Sequence, residues 1–470
     1  MADWRRRCAC TCLAVLVSAA FSGQALAQSL DEALRRSYWN NPTLKAERSA
    51  LAAVDFGVTE ALSAWRPTVT VTGGRSRSYL KMHDTEENRA TAIMPSNQLS
   101  VTLAQRIVDF GRTSGAVRVA EARVLAGRAN LANIEQNVLL ETAEAYLGVV
   151  WAQSALELNR GNVQVLTRQL DAAEAGYARQ MRTLTDVAQA RARLADAVAA
   201  LRQAEEALDT ARGRYLAVVG ELPEMLTFPE RVPVLPEARD AALRAAEDAN
   251  PNVQGALYAV EAARAAVDAS EAEILPTVAF EASDSYSSNP SMGIADQRVQ
   301  TLGVVMRMPL YQSGAEYARI QARKQELGQR RQLLDAARRA ARQQAQEAWN
   351  ALAAARAQVQ SFDASVQANQ VAQDGVSAEY LRLGNRTLLD VLNAEQELFR
   401  ARINLIGARR DEAVAAYRGM AAMGRMTAES LGLAVVRYDP ARHYDQVRDQ
   451  WFGWGDDLSA GELPPPADSP

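Results

Sequence analysis

Two threonine–aspartate pairs are the residues whose spacing points to a definite chemistry. Asp186 stands three residues after Thr183, and Asp390 stands three residues after Thr387. A threonine and a carboxylate at this spacing form a capping box, in which each side chain accepts a hydrogen bond from the backbone amide of the other residue. The carboxylate also lies at the positive end of the helix dipole. The pattern predicts two helix starts that are built in the same way.

The rest of the chain lacks the residues on which enzymes and metal sites depend. Only two histidines occur, His83 and His443, and there is no phosphate loop, nucleophile elbow or His/Cys metal spacing. We therefore expect no enzyme activity, no cofactor and no metal site. The formal net charge is -4, and arginines alternate with acidic residues along the helical segments, so the basic patch that nucleic-acid binding requires is missing.

Residues 1–27 have the pattern of a secretory signal peptide. The run Arg5–Arg7 is basic, Leu13–Phe21 is a short apolar core, and Ala25–Ala27 matches a cleavage site. We expect this segment to be removed on export. All three cysteines lie inside it, so the exported chain would hold neither a disulfide nor a reactive thiol (Cys8, Cys10 and Cys12).

Two stretches without proline predict long helices. They run from Ser96 to Leu222 and from Leu310 to Asp439, and a proline inside a helix costs about 3 kcal/mol. Apolar residues recur in them with the 3.5-residue period of a left-handed coiled coil. We expect long helices over 112–177 and 315–380, each roughly 100 Å long. After a break, each is followed by a shorter helix, at 184–219 and 387–423.

The same arrangement occurs twice along the chain. A first repeat covers 28–220 and a second covers 240–431, with a proline-rich linker at 221–239. Each repeat reads as a helix interrupted at an Asn-Pro pair, a β-hairpin (67–106 or 276–308), a long helix and a short helix. Residues 432–470 form a C-terminal tail, which we expect to be partly disordered because its last residues from Asp456 are rich in proline and acidic residues.

The four predicted strands alternate apolar and polar residues over about ten positions, which suits a strand that crosses a membrane. Four strands cannot close a barrel, which needs about eight, and an open edge is not tolerated in lipid. The chain must therefore oligomerise, or its strands form a small soluble sheet packed on helices. The predicted lipid-facing residues are Val69, Val71, Leu99, Val101, Leu103, Val278, Phe280, Leu302 and Val304.

Two sequence motifs at the helix breaks carry a family resemblance. The segment Leu383–Ala394 reads LGNRTLLDVLNA, and its counterpart Thr185–Ala190 reads TDVAQA. Together with the two Asn-Pro pairs and the duplicated layout, these motifs resemble the TolC-like outer-membrane efflux protein family, in particular the members that serve type I secretion. The resemblance covers roughly Ser29 to Leu431.

The resemblance implies a mainly α protein with membrane β-strands. Three copies would each contribute four strands to one twelve-stranded barrel in the outer membrane, in contact with its lipid. The long antiparallel coiled-coil helices would form a tunnel across the periplasm. The chain would then be the exit duct of a type I protein secretion or multidrug efflux system, energised by a periplasmic adaptor (membrane fusion protein) and an inner-membrane transporter. The alternatives are a periplasmic coiled-coil adaptor or scaffold without a barrel and, as a weaker one, an exported enzyme.

The resemblance also assigns roles to residues at the helix breaks. Asp186 and Asp390 would form carboxylate rings at a periplasmic constriction, and Arg386 would hold the closed state, although helix capping and a solvated turn arginine explain the same residues. Asn393 stands where relatives often carry a second carboxylate. The tip turns that would dock the adaptor contain Gln180 and Arg182 in the first break and Gly384 and Asn385 in the second. Because Gly384 corresponds to Gln180, we expect the two tips to differ in shape.

Overall fold

A computed structural model describes residues 28–83, 89–230, 232–236, 238–291, 293–380 and 386–453. The predicted signal peptide and the end of the tail from Asp456, which we expect to be disordered, lie outside these residues.

The described chain has the same order of elements twice, and a ninth helix follows. The first half contains α1 (Leu30–Asn40), α2 (Pro42–Ser63), β1 (Thr68–His83), β2 (Arg89–Val108), α3 (Arg112–Ala178) and α4 (Leu184–Val219). The second half contains α5 (Arg239–Ala249), α6 (Pro251–Glu271), β3 (Thr277–Ser291), β4 (Ile294–Arg307), α7 (Ala315–Ala378) and α8 (Leu388–Ala422). The short helix α9 covers Arg442–Val447.

Both Asn-Pro pairs start a helix in the same manner. Asn41 caps α2, and its side chain accepts hydrogen bonds from the backbone amides of Thr43 and Leu44. Asn250 caps α6 and accepts from the amide of Asn252. The proline that follows each asparagine occupies the first helical turn, where backbone amides have no acceptor within the helix, so the lack of an amide proton costs no hydrogen bond. The predicted interruption of both N-terminal helices is therefore confirmed.

The two long helices are continuous over 67 residues in α3 and 64 residues in α7. Their buried seams are rich in alanine, which favours helix and lets neighbouring helices approach closely. None of the helices in the described ranges combines the length with the apolar character that crossing a membrane would need.

The described chain divides into two compact units. The tip unit comprises residues 28–36, 142–230, 365–380 and 386–410, and contains both helix breaks. The sheet unit comprises residues 37–141, 232–364 and 411–453, apart from the positions that the structure does not describe, and it contains the four strands.

The four strands form one antiparallel sheet in the order β1-β2-β3-β4, so that β1 and β4 are its edges. Val69 pairs with Leu103, Leu103 with Ala282, and Ala282 with Leu302, which places the apolar residues of all four strands on one face. Val69 and Leu302 are 63% and 75% exposed. The alternative of a sheet whose apolar face packs on helices is therefore wrong.

The strands are longer than the ten residues expected from sequence. They contain 16, 20, 15 and 14 residues, since the polar residues beyond the apolar alternation also belong to the strands, at 75–83, 89–97, 287–291 and 294–297. In an antiparallel pair the backbone groups satisfy each other whatever the side chains are, so polar residues extend the ladder beyond the apolar rows. On neighbouring positions of β3 and β4, the side chains of Asp284 and Arg298 bond through two nitrogen–oxygen contacts of 3.0 and 2.5 Å.

The described part of the C-terminal tail packs on α1 and α2 within the sheet unit, although its sequence shows no clear pattern. Tyr438 donates its backbone amide to the hydroxyl of Tyr38 at 3.1 Å. The rings of these two tyrosines flank the guanidinium of Arg48, which is 1% exposed, at 4.8 and 5.4 Å. His443 lies 2.8 Å from the buried carboxylate of Asp55. We call residues 425–452 the C-terminal strap.

Candidate functional site at the helix breaks

The first break ends α3 with a left-handed residue. Gln180 has φ 58°, and its amide donates to the carbonyl of Tyr177 while the amide of Met181 donates to the carbonyl of Gly176, both at 2.9 Å. This pair of bonds is the Schellman motif, which usually has glycine at the left-handed position. The second break has Gly384 at the corresponding place in sequence, but Gly384 and Asn385 lie outside the described residues.

The first capping box has the predicted geometry. The hydroxyl of Thr183 accepts from the amide of Asp186 at 3.1 Å, and a carboxylate oxygen of Asp186 accepts from the amide of Thr183 at 2.9 Å. The threonine hydroxyl also donates to that oxygen at 2.8 Å. The predicted role of Asp186 as a helix cap is therefore confirmed.

The second capping box repeats the first. The hydroxyl of Thr387 accepts from the amide of Asp390 at 3.2 Å, and the carboxylate of Asp390 accepts from the amide and the hydroxyl of Thr387, both at 2.9 Å. The neighbouring Arg386 donates its Nε to Glu379 at 2.7 Å. Within one chain, Arg386 is thus paired with a carboxylate that directly follows the long helix α7.

A cation–π contact joins the two breaks within the tip unit. The guanidinium of Arg182 lies 4.6 Å from the ring centre of Tyr380. Gly176 makes room for the arginine, because a Cβ built at Gly176 would lie 2.6 Å from the Cγ of Arg182. Burial raises the pKa of the Tyr380 hydroxyl, and the nearby Arg182 opposes that shift. Arg182, which we predicted as a docking residue, therefore has a structural contact of its own.

Polar contacts also connect α8 to the first repeat. Asn393 accepts a hydrogen bond from Arg193 of α4 at 3.1 Å. Two residues further along α8, Glu395 accepts from Gln169 of α3 at 3.1 Å, and burial raises the pKa of its carboxyl. Neither Arg193 nor Glu395 was found by sequence reasoning, since each pairs with a residue more than 190 positions away, and no local spacing signals such a pair.

A small apolar cluster supports the two breaks. It joins α3, α4 and α8, and Tyr380 packs on its edge. The cluster holds the two capping boxes on adjacent helices, so the breaks form one site in each chain. Its buried members are Leu166, Ala173, Val187, Ala190, Ala197, Leu388 and Leu392.

The electrostatics of the site favour ionised, accessible carboxylates. Hydrogen bonds from the backbone and hydroxyl of the preceding threonine lower the pKa of Asp186 and of Asp390 below their ordinary value. Both aspartates are charged at neutral pH and can attract cations electrostatically. In the described residues no group of three or more histidine, cysteine, aspartate or glutamate side chains could hold a metal ion.

The second set of predicted residues lies on the sheet. Val71 and Val101 pair directly, as do Phe280 and Val304, and Leu99 lies one row further along the same face. These residues therefore form an apolar area that crosses all four strands. On β3 and β4 the polar residues Asp284 and Gln300 lie on the same face in the row next to Leu302, so the apolar area is narrower on these two strands than on β1 and β2.

Comparison with known proteins gives a family. The model of a family described as "Outer membrane efflux protein" matches residues 33–221 and 242–425, one match in each repeat. The efflux protein BepC of Brucella suis is 37% identical over 443 residues, which cover 94% of this chain and 95% of that protein. The alkaline protease secretion protein AprF of Pseudomonas aeruginosa is 26% identical over 362 residues, 74% of each chain.

The fold agrees with the sequence comparisons. The crystal structure of the Campylobacter jejuni CmeC outer membrane channel superposes with a TM-score of 0.76 at 14% identity and covers 89% of both chains. The family match spans most of the chain, and the relative at 37% identity covers nearly its whole length. The chain therefore belongs to the outer membrane efflux protein family.

Proposed function

We propose that this chain is the outer-membrane exit duct of a transport system and that it works as a homotrimer. The observation that carries the proposal is the open sheet of four strands, with an exposed apolar face and two unpaired edges. Backbone groups on an open edge cannot remain unpaired in lipid. Three copies would pair β4 of one chain with β1 of the next and close one barrel, in which the polar face lines the lumen.

The long helices supply the periplasmic part of the duct. The family consists of transport channels, and no ATPase or other energy-coupling motif occurs in the chain. Energy would therefore come from partners, which we propose to be an inner-membrane transporter and a periplasmic adaptor that engages the tip turns. The alternative of a periplasmic scaffold without a barrel is wrong, because the family is one of outer-membrane channels.

The names of the relatives suggest two kinds of transported substrate, small molecules for efflux or a protein for secretion. BepC is named an efflux protein, and AprF is named for the secretion of an alkaline protease. We propose efflux as the first function to test, because the efflux relative is the more similar of the two. Expression of the chain in a host that lacks its own duct should restore resistance to exported drugs. Restored secretion of a type I substrate with no gain in resistance would favour protein export instead.

The proposed gate consists of the capping-box carboxylates and Arg386. In a trimer, Asp186 and Asp390 would each occur three times around one opening, where rings of carboxylates favour cations. Arg386 would hold the closed state by pairing with carboxylates such as Glu379, its partner within the chain. Asn393 would line the same opening without adding charge.

Single-channel recording tests this gate directly. In planar bilayers, the variants Arg386→Ser and Asp390→Asn should raise the resting conductance, and Asp390→Asn should also reduce the preference for cations in a salt gradient. Asp209→Asn is a matched control, because it removes an exposed carboxylate 23 residues further along α4 than Asp186, about 35 Å along the helix. Resting conductance that is unchanged in both gate variants would remove these residues from gating.

A further inference from the structure

The C-terminal strap leads from the helical part of the sheet unit to the beginning of β1. Three contacts fix its path. The Asp55–His443 pair comes first, and the hydroxyl of Thr59 then donates to the carbonyl of Val447 at 2.8 Å. Arg66 finally donates to the carbonyl of Gln450 at 2.5 Å. Arg66 precedes β1 by only two residues, so the strap ends at the helical end of the sheet.

The strap presents two aromatic side chains at this point. Trp451 and Phe452 are 59% and 88% exposed. The guanidinium of Arg66 lies 5.0 Å from the ring centre of Trp451, and Gln450 donates its side-chain amide to the carbonyl of Phe452 at 3.2 Å. The Trp451 ring is therefore ordered by Arg66, whereas Phe452 is bonded through its backbone and presents its ring at the surface.

Other exposed apolar residues occur at the same end of the sheet. Phe110 follows the end of β2, and Leu310 and Tyr311 follow the end of β4. Met306 and Met308 extend the exposed apolar face of β4 towards the helices. Trp451 and Phe452 thus lie at the border where an exposed apolar sheet face gives way to polar helices. Tryptophan and other aromatic residues concentrate at such borders in membranes, because one end of the ring is apolar and the other accepts water.

We propose that Trp451 and Phe452 form a membrane anchor that inserts into the headgroup region of the phospholipid leaflet facing the periplasm. Arg66 contributes a positive charge next to the rings, which suits phosphate groups of that leaflet. The strap would then couple the helical part of the sheet unit to the bilayer surface. This inference rests on the proposed placement of the sheet in the outer membrane, because only that placement brings the strap end to lipid.

Site-directed fluorescence measures whether Phe452 meets lipid. The exported chain is expected to lack cysteine, so Phe452→Cys can carry a single environment-sensitive fluorophore. The labelled full-length trimer is reconstituted into vesicles of phosphatidylethanolamine and phosphatidylglycerol that contain a nitroxide either near the headgroup or near the end of the acyl chain. The shallow nitroxide should quench about twofold more strongly than the deep one, as expected for a side chain that enters only the interfacial region.

Two further labels separate the possible results. Leu302→Cys on the sheet should be quenched by nitroxide lipids if the sheet spans the bilayer. Val234→Cys is a solvent control, since Val234 is exposed. Its neighbour Leu235 belongs to the same buried cluster as Leu352, which lies 37 residues beyond the start of α7 or about 55 Å along that helix.

Quenching at position 302 without quenching at 452 would overturn the anchor and leave the sheet assignment intact. In that case a second copy or residues 454–470 would cover the rings. Absence of quenching at both positions would contradict the proposed function as well as the anchor.

Discussion

At the residue scale, the first helix break has Gln180 where the sequence of the second has Gly384. A side chain in the left-handed region destabilises the folded chain by about 1–2 kcal/mol relative to glycine. Glycine also makes the unfolded chain more flexible, which offsets about 0.5–1 kcal/mol of its advantage. The first break therefore holds a strained residue between two hydrogen bonds that end α3. Strain at such a turn is often part of a switch, and it can be measured by relieving it.

Replacement of Gln180 by glycine should stabilise the first tip turn. We expect Gln180→Gly to raise the free energy of local opening by about 0.5 kcal/mol, because glycine adopts a positive φ without a Cβ clash. Hydrogen exchange at the amides of residues 180 and 181, which make the turn bonds, measures this free energy. Gln180→Ala is the control that retains the Cβ. Equal exchange in the glycine and alanine variants would show that Gln180 is not strained.

Acid should weaken the first capping box. The pKa of Asp186 is lowered in the folded chain by its bonds with Thr183, so the ionised form stabilises the helix start above the unfolded pKa of about 4. That contribution is lost as the pH falls through the lower folded pKa. Amide exchange in the first turn of α4, corrected for its intrinsic pH dependence, should therefore accelerate in acid. Asp186→Asn should abolish the dependence, and a dependence that survives in this variant would assign it to another group.

Local spacing explains which site residues could be found from sequence. The Thr–Asp pairs are three residues apart, so their geometry follows once a helix starts there. The contacts of Arg182 with Tyr380 and of Arg193 with Asn393 join residues about 200 positions apart. These contacts depend on how two helical hairpins pack, which no short motif encodes. The proposed roles in gating and docking depend further on copies and partners of the chain.

At the scale of elements, the C-terminal strap was the least predictable part of the described fold. Its residues have neither helical nor strand periodicity, and its order comes from side chains of α1 and α2, more than 380 positions earlier. The sequence also predicted only part of each strand. Alternation of apolar residues identified the rows that face one side of the sheet. The polar continuation of each hairpin was missed because pairing with a neighbouring strand leaves no pattern in a single segment.

Loss of His443 should release the strap. The carboxylate of Asp55 is 1% exposed, and burial raises its pKa while the bond from His443 opposes that rise. His443→Ala removes the side chain that hydrogen-bonds to this buried carboxylate, and a buried polar group that loses its hydrogen-bond partner costs about 1–3 kcal/mol. Hydrogen exchange at the amide of Asp445 in α9 and at that of Arg448, which caps the end of α9, should report this loss as easier local opening.

The double variant Asp55→Ala/His443→Ala tests whether the loss belongs to the pair. It should cost clearly less than the sum of the two single variants, because neither side chain is then left without its hydrogen-bond partner. Strictly additive effects would show that the two side chains act independently.

At the scale of the whole molecule, the chain contains two copies of one structural unit and still leaves its sheet open. Duplication supplies two hairpins, and β2 pairs with β3 to join them into one sheet of four strands. Both edges remain available to another copy. The internal repeat and the number of strands were predictable from sequence, whereas the closure of the sheet is a property of the assembly.

Cysteine crosslinking between the two edge strands tests the central claim most directly. Thr70 on β1 and Thr301 on β4 belong to one row of the sheet, but three strand spacings of about 5 Å separate them within a chain, too far for a disulfide. Thr70→Cys is combined in turn with Val299→Cys, Thr301→Cys and Gly303→Cys, and the protein is oxidised in outer membranes. Our account predicts that at least one pair yields covalent trimers on a denaturing gel. Only monomers from every pair, in protein that is folded and membrane-bound, would contradict it.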